Sequence, residues 1–304
     1  MLSVILDMDP GIDDAAAIAV AINHPDLDVK LITTVAGNVS VDKTTNNTLK
    51  LLTFFNKDIP VAMGAKAPLK KAFADASAIH GSSGMPGYDF PEPQMKPIDL
   101  PAVEAIHQTI NQSAEKITLI ATGSYTNIAQ FIQKYPNDLD KIKHLILMGG
   151  SISGGNCSSV AEFNVFTDPD AAKIVFAAPI EKTMIGLDVT LKALITAETV
   201  GKIKNMGKSG DMLYKIISAY GDVHEGGKPM HDVNTILYAL DPELITTEPM
   251  NIEVATDGPA IGATVADIQN RWHEPGTHNA NVGVDIDAKM FNEWFIKQVA
   301  RMPK

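Results

Sequence analysis

Four carboxylates fall within eight residues near the start of the chain, in Asp7-Met8-Asp9-Pro10-Gly11-Ile12-Asp13-Asp14. The apolar run Leu2 to Leu6 before them reads as a buried strand, and Ala15 to Ile22 after them as a helix. The cluster therefore occupies the intervening turn, with Pro10-Gly11 making the corner. Carboxylates this close repel one another, and at the end of a buried strand each is short of solvation. They persist as anions where something positive sits among them. Helix capping accounts for one or two of these aspartates, because Asp is favoured at the N-cap and in the first turn, but not for four. A divalent metal ion is the economical occupant. The single cysteine, Cys157, and eight scattered histidines with no pair at ligand spacing argue against zinc. Hard oxygen ligands suit calcium or magnesium. The absence of a Walker-type phosphate cradle tilts the choice towards Ca2+, which accepts more ligands, carbonyls included.

The elements that must position this cluster alternate. Strand-like runs at 29–35, 117–121, 145–148 and 183–186 each end in a polar or glycine-containing turn, and helical periodicity follows most of them, as in 43–55 and 127–135. Strand-helix alternation predicts an α/β fold, an open, mostly parallel sheet with helices on both faces. Ligands of such Rossmann-like sheets bind at the carboxyl ends of the strands. The turns to inspect are then the aspartate cluster, Ala36-Gly37-Asn38, Thr122 to Asn127, Gly149 to Asn156, and Asp188. All converge on one rim, although Asn, Asp, Gly and Ser are also ordinary turn residues. The long non-periodic segment 64–101 has the length of a functional loop, and its His80 reads equally as a ligand-facing or an ordinary loop histidine.

The 304 residues, 45% hydrophobic, suffice for one large domain over 1–304. A formal charge of −11 and a pI near 5.1 argue against nucleic-acid and anionic-membrane partners, which require clustered Lys and Arg. The chain starts directly on its first strand, and no apolar run approaches the roughly 20 residues of a bilayer span. With one lone cysteine, a soluble cytoplasmic protein is expected. Cys157 reads as a spectator thiol, and Trp272 and Trp294 as packing or interface aromatics.

The string DxDPGxDD over Asp7 to Asp14, the segment Ala161-Glu162-Phe163-Asn164-Val165 followed by Asp168-Pro169-Asp170, Gly186-Leu187-Asp188-Val189-Thr190, and Met230-His231-Asp232 together resemble the inosine-uridine nucleoside hydrolase family. The similarity covers essentially the whole chain. In Val35 to Val41 and Met148-Gly149-Gly150 it is nearest to the broad-specificity ribonucleoside hydrolases of bacteria. The resemblance implies a calcium ion held by Asp9, Asp14, Asp232 and the main-chain carbonyl of Thr122, with substrate hydroxyls completing the shell. It implies that Asp13, Asn38, Asn156, Glu162 and Asn164 grip the ribose, that His80 and His231 lie near the base, and that Asp7 supports from behind. It also implies a homodimer or homotetramer. Two departures stand out: family members commonly read TGPLTN where this chain has Thr122-Gly123-Ser124-Tyr125-Thr126-Asn127, and the base-facing stretch Tyr220 to Glu225 does not align clearly.

The chemistry fits these residue types independently. Cleaving an N-glycosidic bond builds positive charge on the ribose ring, which carboxylates and amide oxygens stabilise. A calcium ion lowers the pKa of a bound water less than zinc does, so a carboxylate base beside it is still needed; Asp9 fills that role, and His231 that of the acid that protonates the leaving base. Two other readings compete. A calcium-dependent ribose- or nucleoside-binding module needs ligands but no base. A phosphohydrolase of the DxD type wants a small hydroxyl residue two positions after its second aspartate, where this chain has Gly11.

Overall fold

In chain order the strands are β1 (Leu2–Met8), β2 (Leu27–Thr34), β3 (Val61–Met63), β4 (Ile117–Ala121), β5 (Ile142–Met148), β6 (Lys182–Ile185), β7 (Leu194–Ile195), β8 (Lys228–Pro229), β9 (Ile245–Met250), β10 (Ile252–Val254), β11 (Thr264–Ala266) and β12 (Ala280–Ile286), in a computed structural model that describes residues 1–304. The helices are α1 (Ile12–Asn23), α2 (Val41–Phe55), α3 (Ser77–His80), α4 (Ala102–Gln112), α5 (Thr126–Lys134), α6 (Phe163–Thr167), α7 (Pro169–Ala177), α8 (Leu187–Thr190), α9 (Ala197–Ile203), α10 (Gly207–Ala219), α11 (Val233–Leu240) and α12 (Ala288–Arg301).

The central sheet has eight strands in the order β3-β2-β1-β4-β5-β6-β12-β9. All pair in parallel except β9, which runs antiparallel to β12 at the edge. The expected mostly parallel sheet is thus borne out, while the short edge strand β3 and β12 and β9, weak in strand signal, were not foreseen. Strand β1 shows why the sheet is covered on both sides. Its side chains alternate between faces. Val4, Leu6 and Met8 join the core formed with α1, α2, α10, α11 and α12, and Ile5 joins the core formed with α4, α5 and α7. Helix α1, built of Ala, Ile and Val, is buried over nearly its whole length. None of the helices is long and apolar enough to cross a membrane.

Chain order reverses at β1. From β1 the connections run outward to β2 and β3 on one side, then return to β4 and continue the other way to β5 and β6. This switch point leaves a crevice beyond the carboxyl ends of β1 and β4, the place where open parallel sheets bind ligands.

Alternation along β1 also explains Asp7. As a strand residue on the Ile5 face it points away from the crevice, and its Oδ1 accepts hydrogen bonds from Thr33 Oγ1 (2.6 Å) and Asn127 Nδ2 (2.7 Å). Burial, only partly offset by those bonds, raises its pKa to about 6.

Candidate active site

Beyond β1 the chain turns through Pro10 and starts α1 at Gly11. Asp14, three residues into the helix cap, accepts from the Gly11 amide (3.0 Å) and the Asp9 amide (3.3 Å), which closes the turn. Thr122 Oγ1 (2.8 Å) and Asn38 Nδ2 (3.1 Å) also donate to it from the ends of β4 and β2. Asp9 accepts the Asn38 amide on Oδ2 at 2.7 Å. Its Oδ1 and the Oδ1 of Asp13 are buried without any donor. Asp232 stands at the N-cap of α11, yet its side chain makes no capping bond.

Carboxylate oxygens of Asp13, Asp14 and Asp232 lie within 4.8 Å of one another, all three residues buried. Burial first, then the charge of Asp14, raises the Asp13 pKa to about 7. Asp9 and Asp232 are pushed well above the usual carboxylate range by burial and by the neighbouring aspartates. Orphaned oxygens and stacked negative charge in a buried nest are what a hard divalent cation relieves. The donor set therefore fits a metal ion of the oxygen-seeking kind. The converging trio contains Asp13 where the ligand set implied by resemblance has Asp9. The Thr122 carbonyl accepts Asn164 Nδ2 at 2.6 Å, which leaves it one lone pair.

A cavity of about 320 Å³ opens above this floor. Asp13, Asn38, His80, Thr122, Asn156, Glu162, Asn164, His231 and Asp232 line it; Asp9 and Asp14, fully buried, do not reach its wall. Glu162 caps α6, accepting from the amides of Asn164 (2.9 Å), Val165 (3.2 Å) and Gly150 (2.9 Å). Capping thus explains part of the EFN signal and fixes Asn164 beside the Thr122 carbonyl. Asn156 is exposed at the rim, where its Oδ1 accepts the Phe163 amide at 3.0 Å.

The two histidines differ in protonation. His80 Nδ1 accepts the Ile12 amide at 3.2 Å, so its proton sits on Nε2. Burial, reinforced by His231, lowers its pKa to about 3 and keeps it neutral. His231 is flanked by Thr190 Oγ1 at 2.7 Å on Nδ1 and Asp222 Oδ2 at 3.4 Å on Nε2. Burial opposes its charge, but Asp222, Asp13 and Glu162 outweigh that and raise its pKa above the ordinary value.

Ile79 and Phe163 line the cavity without having been singled out from sequence for a role here, and Tyr220 and Asp222, from the base-facing stretch that does not align clearly, line it too. The ring of Tyr220 packs against His80 at 5.1 Å. Cys157 also lines the cavity instead of standing apart from it. The unusual Tyr125 has a structural account. Its hydroxyl donates to the Met148 carbonyl (2.8 Å), and Gly149, at φ +151°, leaves it room, since a Cβ there would lie 2.3 Å from the hydroxyl. The departure from TGPLTN thus braces the end of β5 and leaves Thr122 in place.

A mostly parallel sheet covered on both faces, with a buried acidic nest and a histidine-lined cavity at its switch point, defines an α/β protein with a ligand site at the carboxyl ends of its strands. The model of the inosine-uridine preferring nucleoside hydrolases matches residues 4–293, and the chain belongs to that family of enzymes acting on ribonucleosides. It is 46% identical over 305 residues to the non-specific ribonucleoside hydrolase RihC of Klebsiella pneumoniae subsp. pneumoniae, covering 99% of each chain. It is 44% identical over 304 residues to the protein of the same name from Escherichia coli O127:H6, again over 99% of each. Among solved structures, the purine-preferring ribonucleoside hydrolase from Gardnerella vaginalis superposes with a TM-score of 0.92 at 31% identity, covering 98% of both chains.

Proposed function

We propose that residues 1–304 act as one domain that hydrolyses the N-glycosidic bond of purine and pyrimidine ribonucleosides, with calcium, giving ribose and free base. The non-specific RihC relatives support the broad range. The observation that carries the reading is the juxtaposition, in one cavity, of a buried carboxylate nest with orphaned oxygens and a pair of histidines. Asp14 and Asp232, with Asp9 or Asp13 and the Thr122 carbonyl, would hold the ion. When bound, calcium supplies charge compensation and an acidified water.

The chain's own groups do the rest. Asp13, Asn38, Glu162, Asn164 and, from the rim, Asn156 face the ribose, and their oxygens stabilise the positive charge that develops on the ring. Asp9, set behind the cavity wall with its Oδ1 free of donors, takes the proton of an attacking water that reaches that oxygen. His80 presents a neutral Nε2–H to the base as a fixed donor. His231 passes the Nε2 proton to the departing base as the C1′–N bonding pair leaves with it. The neutral imidazole that remains carries its proton on Nδ1, facing Thr190. A cytoplasmic homodimer or homotetramer is part of the same proposal; the exposed Trp272, unlike the buried Trp294, is free to serve in such an interface. The binding-module reading predicts tight binding without turnover, and the DxD phosphohydrolase reading predicts phosphate release from nucleotides.

Rates on inosine, adenosine, uridine and cytidine, with release of free base as the readout, test the activity and its breadth. His231→Ala tests the acid: inosine turnover falls about 10²- to 10⁴-fold, the range of general acid catalysis, while p-nitrophenyl riboside, whose phenolate leaves unprotonated, loses far less. Equal losses on both substrates would reduce His231 to a structural residue.

A further inference from the structure

The strap from Gly221 to Gly227 joins α10 to β8, and it is pinned at both ends. At its start the Gly221 amide donates to the Ile79 carbonyl at 3.1 Å, next to His80, and a Cβ on Gly221 would lie 2.7 Å from that carbonyl. At its end Lys228 Nζ donates to three carbonyls that finish α10, those of Ile217 (2.8 Å), Ser218 (2.9 Å) and Tyr220 (2.7 Å). A cation on the last carbonyls of a helix satisfies groups that otherwise lack partners. Between these pins, His224 and Gly227 exchange both backbone hydrogen bonds (3.0 and 3.2 Å), which closes a tight loop. A Cβ on Gly227 would lie 2.3 Å from the Ile195 carbonyl of β7, so the strap also fits closely against its neighbour.

The strap places one carboxylate in the cavity. Asp222 Oδ1 lies 2.9 Å from His224 Nε2, and Oδ2 lies 3.4 Å from His231 Nε2. An ionised carboxylate only accepts, so a hydrogen on His231 Nε2 is favoured. That nitrogen is the one opposite Thr190, hence the one with access to the cavity. At 3.4 Å the bond is long, and substrate can compete for the same N–H without leaving Asp222 stranded, because His224 still partners it.

We propose that Asp222 is the positioning residue of His231: it holds the imidazole ring with its Nε2 proton aimed at the leaving base, while the pinned strap fixes Asp222 itself. This rests on the reading of His231 as the acid. Asp222 touches neither ribose nor metal ligands in this scheme and acts through the ring. An amide at this position presents N–H as readily as C=O to Nε2, and an N–H facing that nitrogen requires it to accept, which permits a ring without the proton to be transferred.

The test compares Asp222→Asn and Asp222→Glu with His231→Ala, all calcium-loaded, on inosine and p-nitrophenyl riboside. Asp222→Asn lowers the ratio of the inosine kcat to the p-nitrophenyl riboside kcat about 10- to 100-fold, part of the 10²–10⁴ that a general acid supplies. KM for inosine stays within about threefold, because ribose contacts, which set uniform binding, are intact. Asp222→Glu, whose longer side chain can span the 3.4 Å gap, recovers most of the ratio. The ¹⁵N shifts of His231 report a protonated Nε2 in the parent protein and a partly unprotonated Nε2 in Asp222→Asn. If His231→Ala lowers the ratio but Asp222→Asn leaves it and the ¹⁵N shifts unchanged, the positioning role is overturned while the acid stands. If His231→Ala itself leaves the ratio unchanged, the reading of the acid falls first.

Discussion

Gly37→Ala reaches the site without altering any polar group. A Cβ built on Gly37 lies 1.9 Å from Asp9 Oδ2 and 2.8 Å from its Cγ. Ordinary contact needs about 3.5 Å, so the carboxylate must retreat by roughly 1.5 Å. Gly123 stands against the other oxygen, where a Cβ would come within 3.0 Å of Asp9 Oδ1, so the carboxylate has little slack. Retreat breaks the 2.7 Å bond from the Asn38 amide. Losing a hydrogen bond to a charged group costs about 1.5–3 kcal/mol. Overpacking adds about 1–3 kcal/mol. With an unfolding entropy of about 2.1 cal/mol/K per residue over 304 residues, or roughly 0.64 kcal/mol/K, a total of about 2.5–6 kcal/mol lowers Tm by about 4–9 °C. A displacement beyond 1 Å of a catalytic group costs about 10² in rate, so kcat falls at least that far. Calorimetry and steady-state release of free base measure both. The control is Gly201→Ala in α9, where nothing lies within 4 Å of the added methyl and the helix gains about 0.5–1 kcal/mol. A Gly37→Ala protein with parental Tm and kcat would refute both the placement of Asp9 and its role as base.

Removing the metal with a chelator abolishes turnover and lowers Tm, and calcium at 100 times its Kd restores about 2.7 kcal/mol of stability; full activity in the chelated protein would end the metal reading. Uridine is preferred over 2′-deoxyuridine by up to about 10⁴–10⁵, because a site built for hydroxyls leaves its polar groups unpaired around the deoxy sugar, and comparable rates would contradict the ribose contacts. Asp7→Asn isolates one buried carboxylate. The parent pKa rises on folding from 3.8 to about 6, so the folded state binds the extra proton and stability contributed at acid pH is lost as pH rises from about 4 to about 6. In metal-free protein, denaturant melts should show the variant gaining on the parent by about 3 kcal/mol across that window, at 1.36 kcal/mol per unit, and a pH-independent difference would show that Asp7 does not titrate there.

How far the sequence carried these conclusions differs by residue. Four aspartates around Pro10-Gly11, after an apolar run, were enough to read a strand, a turn and a helix whose cap is acidic, and their mutual repulsion led to the expectation of a cation among them, although Asp7 stands apart from the trio that converges. Strands β1, β2, β4, β5 and β6 were legible because parallel strands buried on both faces read as continuous apolar runs. Strands β9 and β12 were not, since β9 has exposed and half-buried residues between its ends and β12 mixes Asn, Gly and Asp into its run. Residue spacing could not say which way each aspartate points. Asp7, two positions before Asp9, faces α5 because β1 still alternates there, whereas Asp13 and Asp14 are brought to Asp232, more than two hundred residues away, by α1 packing against α11. Nor could it show that His80 is locked neutral by the Ile12 amide, or that a strap pinned by Lys228 sets Asp222 against His231. Those depend on which backbone donors and carbonyls happen to adjoin in space, and that is decided only when the sheet and its helices have closed around the switch point.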